Sequence, residues 1–288
     1  MGTPTIARRR RSGRARRGSR QPSGGPTRRV LIRLVRLVRR AFLLYSSAPP
    51  GVRVVSGLVL VVVVWLALNW TYQVIRKPTE LFFPVSGTLS KRPVDTWRQY
   101  ASLFQAYATP TITPELLAAI AQEEGAGNPV ARTYWRWQLS WNPFDVFQPA
   151  SSAVGMYQIT DATFADARRY CIHNHVVAET GRWNDMHACW FNGLYTRVVP
   201  SHAIEMTAAF LDVGVTRVLE RRHVAAATPR QRQDLAAVIH LCGPGGGDAF
   251  VRRGFAPADQ RCGDQSVAGY LGAVNALKRQ FLVMSRMR

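Results

Sequence analysis

Nineteen residues, VVSGLVLVVVVWLALNWTY from Val54 to Tyr72, lie inside an uncharged stretch that runs unbroken from Arg53 to Arg76. About 20 apolar residues cross the hydrocarbon core of a bilayer. The run therefore predicts one transmembrane helix over 54–72, with Trp65, Trp70 and Tyr72 toward the distal interface, where aromatic rings collect. A buried core helix is the alternative.

Charge orients the predicted span. Of 38 Lys and Arg residues, 15 precede residue 54, in a stretch without Asp or Glu, and only Arg76 and Lys77 follow closely on the other side. The positive-inside bias then places the N-terminus in the cytoplasm and the rest of the chain outside. The first 53 residues open with an Arg-, Gly-, Ser- and Pro-rich tail that lacks the apolar surface to order itself. They continue into VLIRLVRLVRRAFLLY, where Arg33, Arg36 and Arg40 recur at a helical spacing suited to the inner membrane surface. Such a tail can bind phosphates of nucleic acid or anionic lipid. A membrane span behind it favours lipid, and no specific nucleic acid is expected. A cleaved signal peptide fits poorly, because the preceding segment is long and no small-residue cleavage site follows. Arg39-Arg40 resembles a twin-arginine export signal.

Beyond the span, residues 73–95 contain prolines at 78, 84 and 93 and are expected to be a linker. A mainly α domain is expected over 96–288. Its helical stretches are DTWRQYASLFQAYA, TPELLAAIAQEE, TDATFADARRYCIHNHVVAE, SHAIEMTAAFLDVGVTRVLERR, TPRQRQDLAAVIHLC and SVAGYLGAVNALKRQFLVMS. Thr113-Pro114 and Thr228-Pro229 carry start signals. Cys171, Cys189, Cys242 and Cys262 all follow the span, and an even count in an exported domain suggests two disulfides. Three connectivities are open, and the sequence-local pairs 171 with 189 and 242 with 262 are expected. A zinc site is the rival, without the usual ligand spacing.

In AIAQEEGAGNP, residues 119–129, a helical projection places Glu124 among Leu117, Ile120 and Ala121, on the apolar stripe. Glu123 falls toward its edge. A carboxyl group held among aliphatic side chains resists ionisation, which suits a general acid. The alternative is a pair of exposed glutamates ending a surface helix. After an aromatic loop comes SSAVGMYQITDATF, with Ser152, Ala153, Gly155, Met156, Gln158 and Thr163. IHLCGPG follows at 239–245. In this order the three segments resemble the soluble lytic transglycosylase family, lysozyme-like enzymes that cut peptidoglycan, over about residues 110–250.

The resemblance implies a lysozyme-like helical domain and assigns the catalytic glutamate to Glu124, by alignment of Asn128-Pro129. It implies substrate contacts at Gly155, Met156, Tyr157, Gln158 and His240, with no metal and no organic cofactor. It also implies one working carboxylate. Glu124 would protonate the bond between N-acetylmuramic acid and N-acetylglucosamine, then take the proton from the 6-hydroxyl as a 1,6-anhydro ring closes. Hydrolysis would need a second carboxylate, for which Asp145 and Asp161 are candidates, although Asp161 also suits a helix cap. Three positions depart from the family pattern: Gly125 where a serine usually follows the acid, and His240 and Leu241 where tyrosine and asparagine are usual. An inactive glycan-binding scaffold is therefore a second expectation. Between the motifs Tyr134, Trp135, Trp137, Trp141, Phe144 and Phe147 could line a sugar site or pack a long loop. The expected setting is the inner membrane, single pass, with a periplasmic catalytic domain acting on peptidoglycan glycan strands in wall turnover, or making room for a secretion, conjugation or appendage complex.

Overall fold

The computed structural model describes residues 32, 33, 35, 36, 39, 40, 43, 45–181, 185 and 188–287. The Arg-rich tail through residue 31 lies outside them. Two units divide the chain, Met1–Trp65 and Leu66–Arg288. In the first, Arg33, Arg36 and Arg40 are helical. Helix α1, Pro50–Arg76, has 27 residues and a length near 40 Å at 1.5 Å per residue. Its most apolar 18-residue window has a mean hydropathy of 2.4, and none of that window is buried in protein.

The second unit is mainly helical, as expected. Its long helices are α2 (Pro93–Ala106), α3 (Pro114–Gly125), α5 (Pro200–Arg221), α6 (Pro229–Arg252) and α7 (Val267–Arg286), with a short α4 (Asp161–Ala167) between α3 and α5. Starts are set by caps. Thr113 accepts from the Leu116 N–H, and Thr228 forms a reciprocal capping box with Gln231. At α4 the cap is Thr160, whose hydroxyl accepts from the Thr163 N–H. Asp161, expected as the cap, is the first helical residue instead, where its charge suits the helix N-terminus. Leu116, Leu117 and Ile120 of α3, Met206 and Leu211 of α5, Leu235 and Ile239 of α6 and Phe281 of α7 are all buried in one core. α3 packs against both α2 and α7, and α5 against α6.

Two segments differ from the sequence expectation. The helix expected over 160–179 stops at Ala167, and a two-stranded hairpin follows, β3 (Tyr170–His173) with β4 (Val176–Glu179). Its turn is Asn174-His175 with φ of 51° and 66°, the double left-handed geometry of a type I′ turn. The expected linker is folded: helical turns cover Pro78–Phe82, Phe83–Ser86 and Gly87–Leu89. Its prolines start turns, and Glu80, fully buried, meets Lys77 at 3.2 Å, Arg132 at 3.3 Å and the Trp135 indole at 2.9 Å. The aromatic loop forms another hairpin, β1 (Trp135–Trp137) with β2 (Phe147–Pro149). A last pair, β5 (Arg261–Cys262) and β6 (Gln265–Ser266), leads into α7.

Cys171 is joined to Cys189 and Cys242 to Cys262, with Cα separations of 5.7 and 5.4 Å. As disulfides, the four cysteines offer no thiolate to a metal. The loops closed are 18 and 20 residues in sequence separation, and loops of that size are worth about 3 kcal/mol each. Reduction is expected to lower the thermal midpoint of the domain by roughly ten degrees or more. Differential scanning calorimetry with and without reductant checks this.

Candidate active site

Glu124 continues the buried stripe of α3: Leu117, Ile120 and Ala121 are fully buried, and the Glu124 side chain is 15% exposed. Glu123 turns outward, its pKa raised by partial burial and by the charge of Glu124. The helix end is held from several sides. Ala126 takes the left-handed conformation, and the N–H groups of Ala126 and Gly127 donate to Gln122 and Ala121 at 3.0 Å. The Lys91 N–H donates to the Ala126 carbonyl at 2.8 Å, and the Gln122 amide donates to the Lys91 carbonyl at 3.0 Å. Asn128 of the motif is buried. Its amide donates to the Ser86 carbonyl and its oxygen accepts from the Val130 N–H.

The second motif forms a turn against this helix end. Val154 pairs with Ile159, Gly155 has φ +82° and Gln158 φ +45°. The Gln158 N–H and side-chain amide both donate to the Gly155 carbonyl, at 3.0 and 2.9 Å. A Cβ on Gly125 would meet Met156 Cα at 2.8 Å and its carbonyl oxygen at 2.9 Å. The helix therefore rests directly on the turn's backbone, and a serine at 125 has no room. Gly155 is likewise a packing glycine, since a Cβ there would run into the Arg197 carbonyl oxygen.

Met156 and Tyr157, expected at the substrate, are fully buried. The Tyr157 hydroxyl donates to the Leu117 carbonyl at 3.2 Å. Both side chains are core that shapes the turn rather than surface a glycan touches. Gln158 is half-buried.

His240 arrives from α6. That helix breaks at Gly243, with φ 69° and ψ 178°, and resumes at Pro244, so G-P-G is a helix break and the Cys242–Cys262 disulfide pins it. His240 Nε2 lies 3.7 Å from Glu124 Oε1, and its ring meets Tyr157 edge-on at 6.3 Å. Burial holds its pKa below the usual histidine range, against the opposing pull of Glu124 and a hydrogen bond with the Tyr157 backbone. Near neutral pH it is an uncharged neighbour of Glu124.

Sequence reasoning missed Tyr270. From α7, its hydroxyl donates to Glu124 Oε1 at 2.7 Å. The ring is 5% exposed, and burial with the nearby glutamate charge holds the phenol protonated as a donor, its pKa well above the usual value. The two candidates for a second carboxylate are engaged with cations: Asp145 pairs with Arg76 at 2.9 Å and Asp161 with Arg197 at 2.8 Å.

Residues 102–228 match the family described as the Transglycosylase SLT domain. This segment is an SLT domain. The family belongs to the lysozyme-like superfamily, and the match supports, at family level, a lytic-transglycosylase-type action on peptidoglycan. A search of curated proteins finds no match to the chain. Glu124 and the 155–158 turn lie inside the matched segment. His240 and Tyr270, the two side chains facing Glu124 Oε1, lie beyond it.

Two expected outcomes test these neighbours. Hydrogen bonds to charged groups are worth about 1.5–3 kcal/mol, so Tyr270→Phe is expected to lower kcat by roughly tenfold or more while KM changes little, as read by turbidity clearance of sacculi at several concentrations. For His240 the folded pKa is depressed, so as pH falls the unfolded chain takes up the proton first. As pH falls below about 6.5 the wild type is expected to lose stability more steeply than His240→Phe, as measured by urea denaturation at a series of acid pH values.

Proposed function

We propose that this chain is a membrane-anchored lytic transglycosylase that cleaves the β-1,4 bond between N-acetylmuramic acid and N-acetylglucosamine. The observation that carries it is the setting of Glu124: one part-buried carboxylate on a braced helix end, with Oε1 held by the Tyr270 hydroxyl. Oε2 is then the oxygen that gives its proton to the glycosidic oxygen. The same carboxylate receives the proton of the sugar's 6-hydroxyl as that oxygen closes on the anomeric carbon, leaving a 1,6-anhydro end and consuming no water. A neutral His240 at 3.7 Å neither competes for the role of acid nor adds a fixed charge. Gln158 stands on the neighbouring turn with donor and acceptor groups for hydroxyl or acetamido substituents.

The scaffold alternative drew on Gly125, His240 and Leu241. Packing accounts for Gly125, and Tyr270 supplies a phenolic hydroxyl to the glutamate from another helix, so Gly125 and His240 do not argue against turnover; Leu241 has no structural explanation. Hydrolysis is disfavoured by the ion pairs of Asp145 and Asp161.

The length and exposure of α1 support anchoring, and the charge bias of the first 53 residues supports a cytoplasmic N-terminus with the SLT domain in the periplasm. Local opening of the wall, for turnover or for passage of an envelope complex, fits this placement. The test is mass spectrometry of soluble products from sacculi incubated with the full chain in nanodiscs. Anhydro-ended muropeptides are expected. Reducing ends would mean hydrolysis, and no release by folded protein would mean a scaffold.

A further inference from the structure

The hairpin between the motifs lies on α1. Its Phe147 carbonyl accepts from the Asn69 amide at 2.8 Å and its Phe144 carbonyl from the Gln73 amide at 2.6 Å. Asp145 pairs with Arg76, and the Tyr72 and Phe144 rings lie 5.3 Å apart. A cavity of about 640 Å³ between hairpin and helix is lined by Leu66, Trp70, Arg132, Tyr134, Trp135 and Phe147. The hairpin's partners on α1 thus run from Leu66 to Arg76, the last residues of the apolar run and the first charge beyond it.

That register places the hairpin at the height of the outer headgroup layer. Its exposed side chains have the matching chemistry. Leu139 and Trp141 are fully exposed, Trp137 is 65% and Tyr134 71% exposed, and Arg136 is exposed between two tryptophans. Trp and Tyr partition to the membrane–water interface because their rings are apolar with a polar edge, and an Arg beside them meets lipid phosphate. Glycan binding would use the same rings, but the hairpin is built against α1, whereas Glu124 is braced by α2, the 155–158 turn, α6 and α7.

We infer that the hairpin Tyr134–Pro149 is a membrane-interface element whose Trp137, Leu139 and Trp141 enter the lipid headgroup region beside the outer end of α1. The inference rests on the membrane-anchored reading of α1. At its base the hairpin joins the catalytic turn, because Arg132 pairs with Val154 and the Gly155 N–H donates to the Ala131 carbonyl at 2.8 Å. Docking on lipid would therefore fix the turn that carries Gln158.

The test uses the full chain in phosphatidylethanolamine–phosphatidylglycerol vesicles, with one thiol added at a time and labelled with a fluorophore: Leu139→Cys, Trp141→Cys, Leu60→Cys or Val176→Cys. All four positions are exposed, and the native cysteines are in disulfides. With lipids brominated near the headgroup, quenching at 139 and 141 is expected to exceed that at 176 by about twofold or more, while the label at 60 answers to deeply brominated lipids. If 60 is quenched and 139 and 141 behave like 176, the hairpin inference is overturned and the anchor stands. If no label is quenched, the anchored reading fails with it. Protection of 139 and 141 by added sacculi, without lipid quenching, would make the hairpin a glycan surface and overturn the inference.

Discussion

Glu124→Gln in the full chain is expected to stop release of anhydro-ended muropeptides, with turnover falling by roughly 10²–10⁴-fold, the usual share of a positioned general acid. Glutamine fills nearly the same volume and can still accept from the Tyr270 hydroxyl through its amide oxygen, so the fold is expected to keep its thermal midpoint. The substitution removes only the exchangeable proton. Glu123→Gln is the control. That side chain faces outward, and its loss is expected to leave turnover within about twofold of wild type, since surface substitutions rarely matter. Mass spectrometry of products from both variants, beside circular dichroism melts, decides the assignment. Equal losses in the two variants would mean that the pair acts through its shared charge rather than through one acid.

Among the single substitutions, Gly155→Ala is expected to have the largest effect on stability. At φ +82° a residue with a Cβ carries a backbone penalty of about 1–2 kcal/mol, and here the added carbon also points into the Arg197 carbonyl, with Pro129 O 3.2 Å away. Overpacking of this kind costs about 1–3 kcal/mol more. Together these give a loss near 3 kcal/mol, or about 10 °C in the thermal midpoint of a domain of this size. The damage would reach the site, because the Gly155 carbonyl accepts both hydrogen bonds from Gln158 and lies against Gly125. Denaturant melts and KM for sacculi read the two effects separately.

The parts visible in the sequence are those set by short-range patterns. Glu124 was legible because four residues of one helix, Leu117, Ile120, Ala121 and Glu124, share a face whose burial follows from a 100° step. Thr113-Pro114 and Thr228-Pro229 were legible as starts because a cap and its acceptor lie within one turn. What escaped depends on contacts distant in sequence. Tyr270 sits 146 residues from Glu124 in an ordinary amphipathic helix, and only the packing of α3 on α7 selects it among the tyrosines. Glu80 gave residues 73–95 a folded role through Arg132 and Trp135, more than fifty positions away. The β3–β4 hairpin had a local signal, Asn174-His175 between Ile172 and Val176, but the helical pattern before it masked the change of period. Gly125, where a serine is usual, stands in the sequence only as a departure from the family pattern. Its reason lies in the backbone of a turn thirty residues further on.

The folded state of residues 73–95 bears on the reach of the domain in the proposed membrane-anchored reading. A free leash of 23 residues would give a flexible domain an r.m.s. range of about 26 Å. Here Lys77, Glu80, Ser86 and Lys91 are all engaged in contacts, and the chain leaves α1 straight into packed structure. If α1 is the anchor proposed above, residues 73–95 add no slack with which the domain would search the depth of the envelope for its substrate. On the proposed anchored reading, only glycan close to the membrane would fall within its range, and the anchor would act as a filter on which strands are cut as well as a tether.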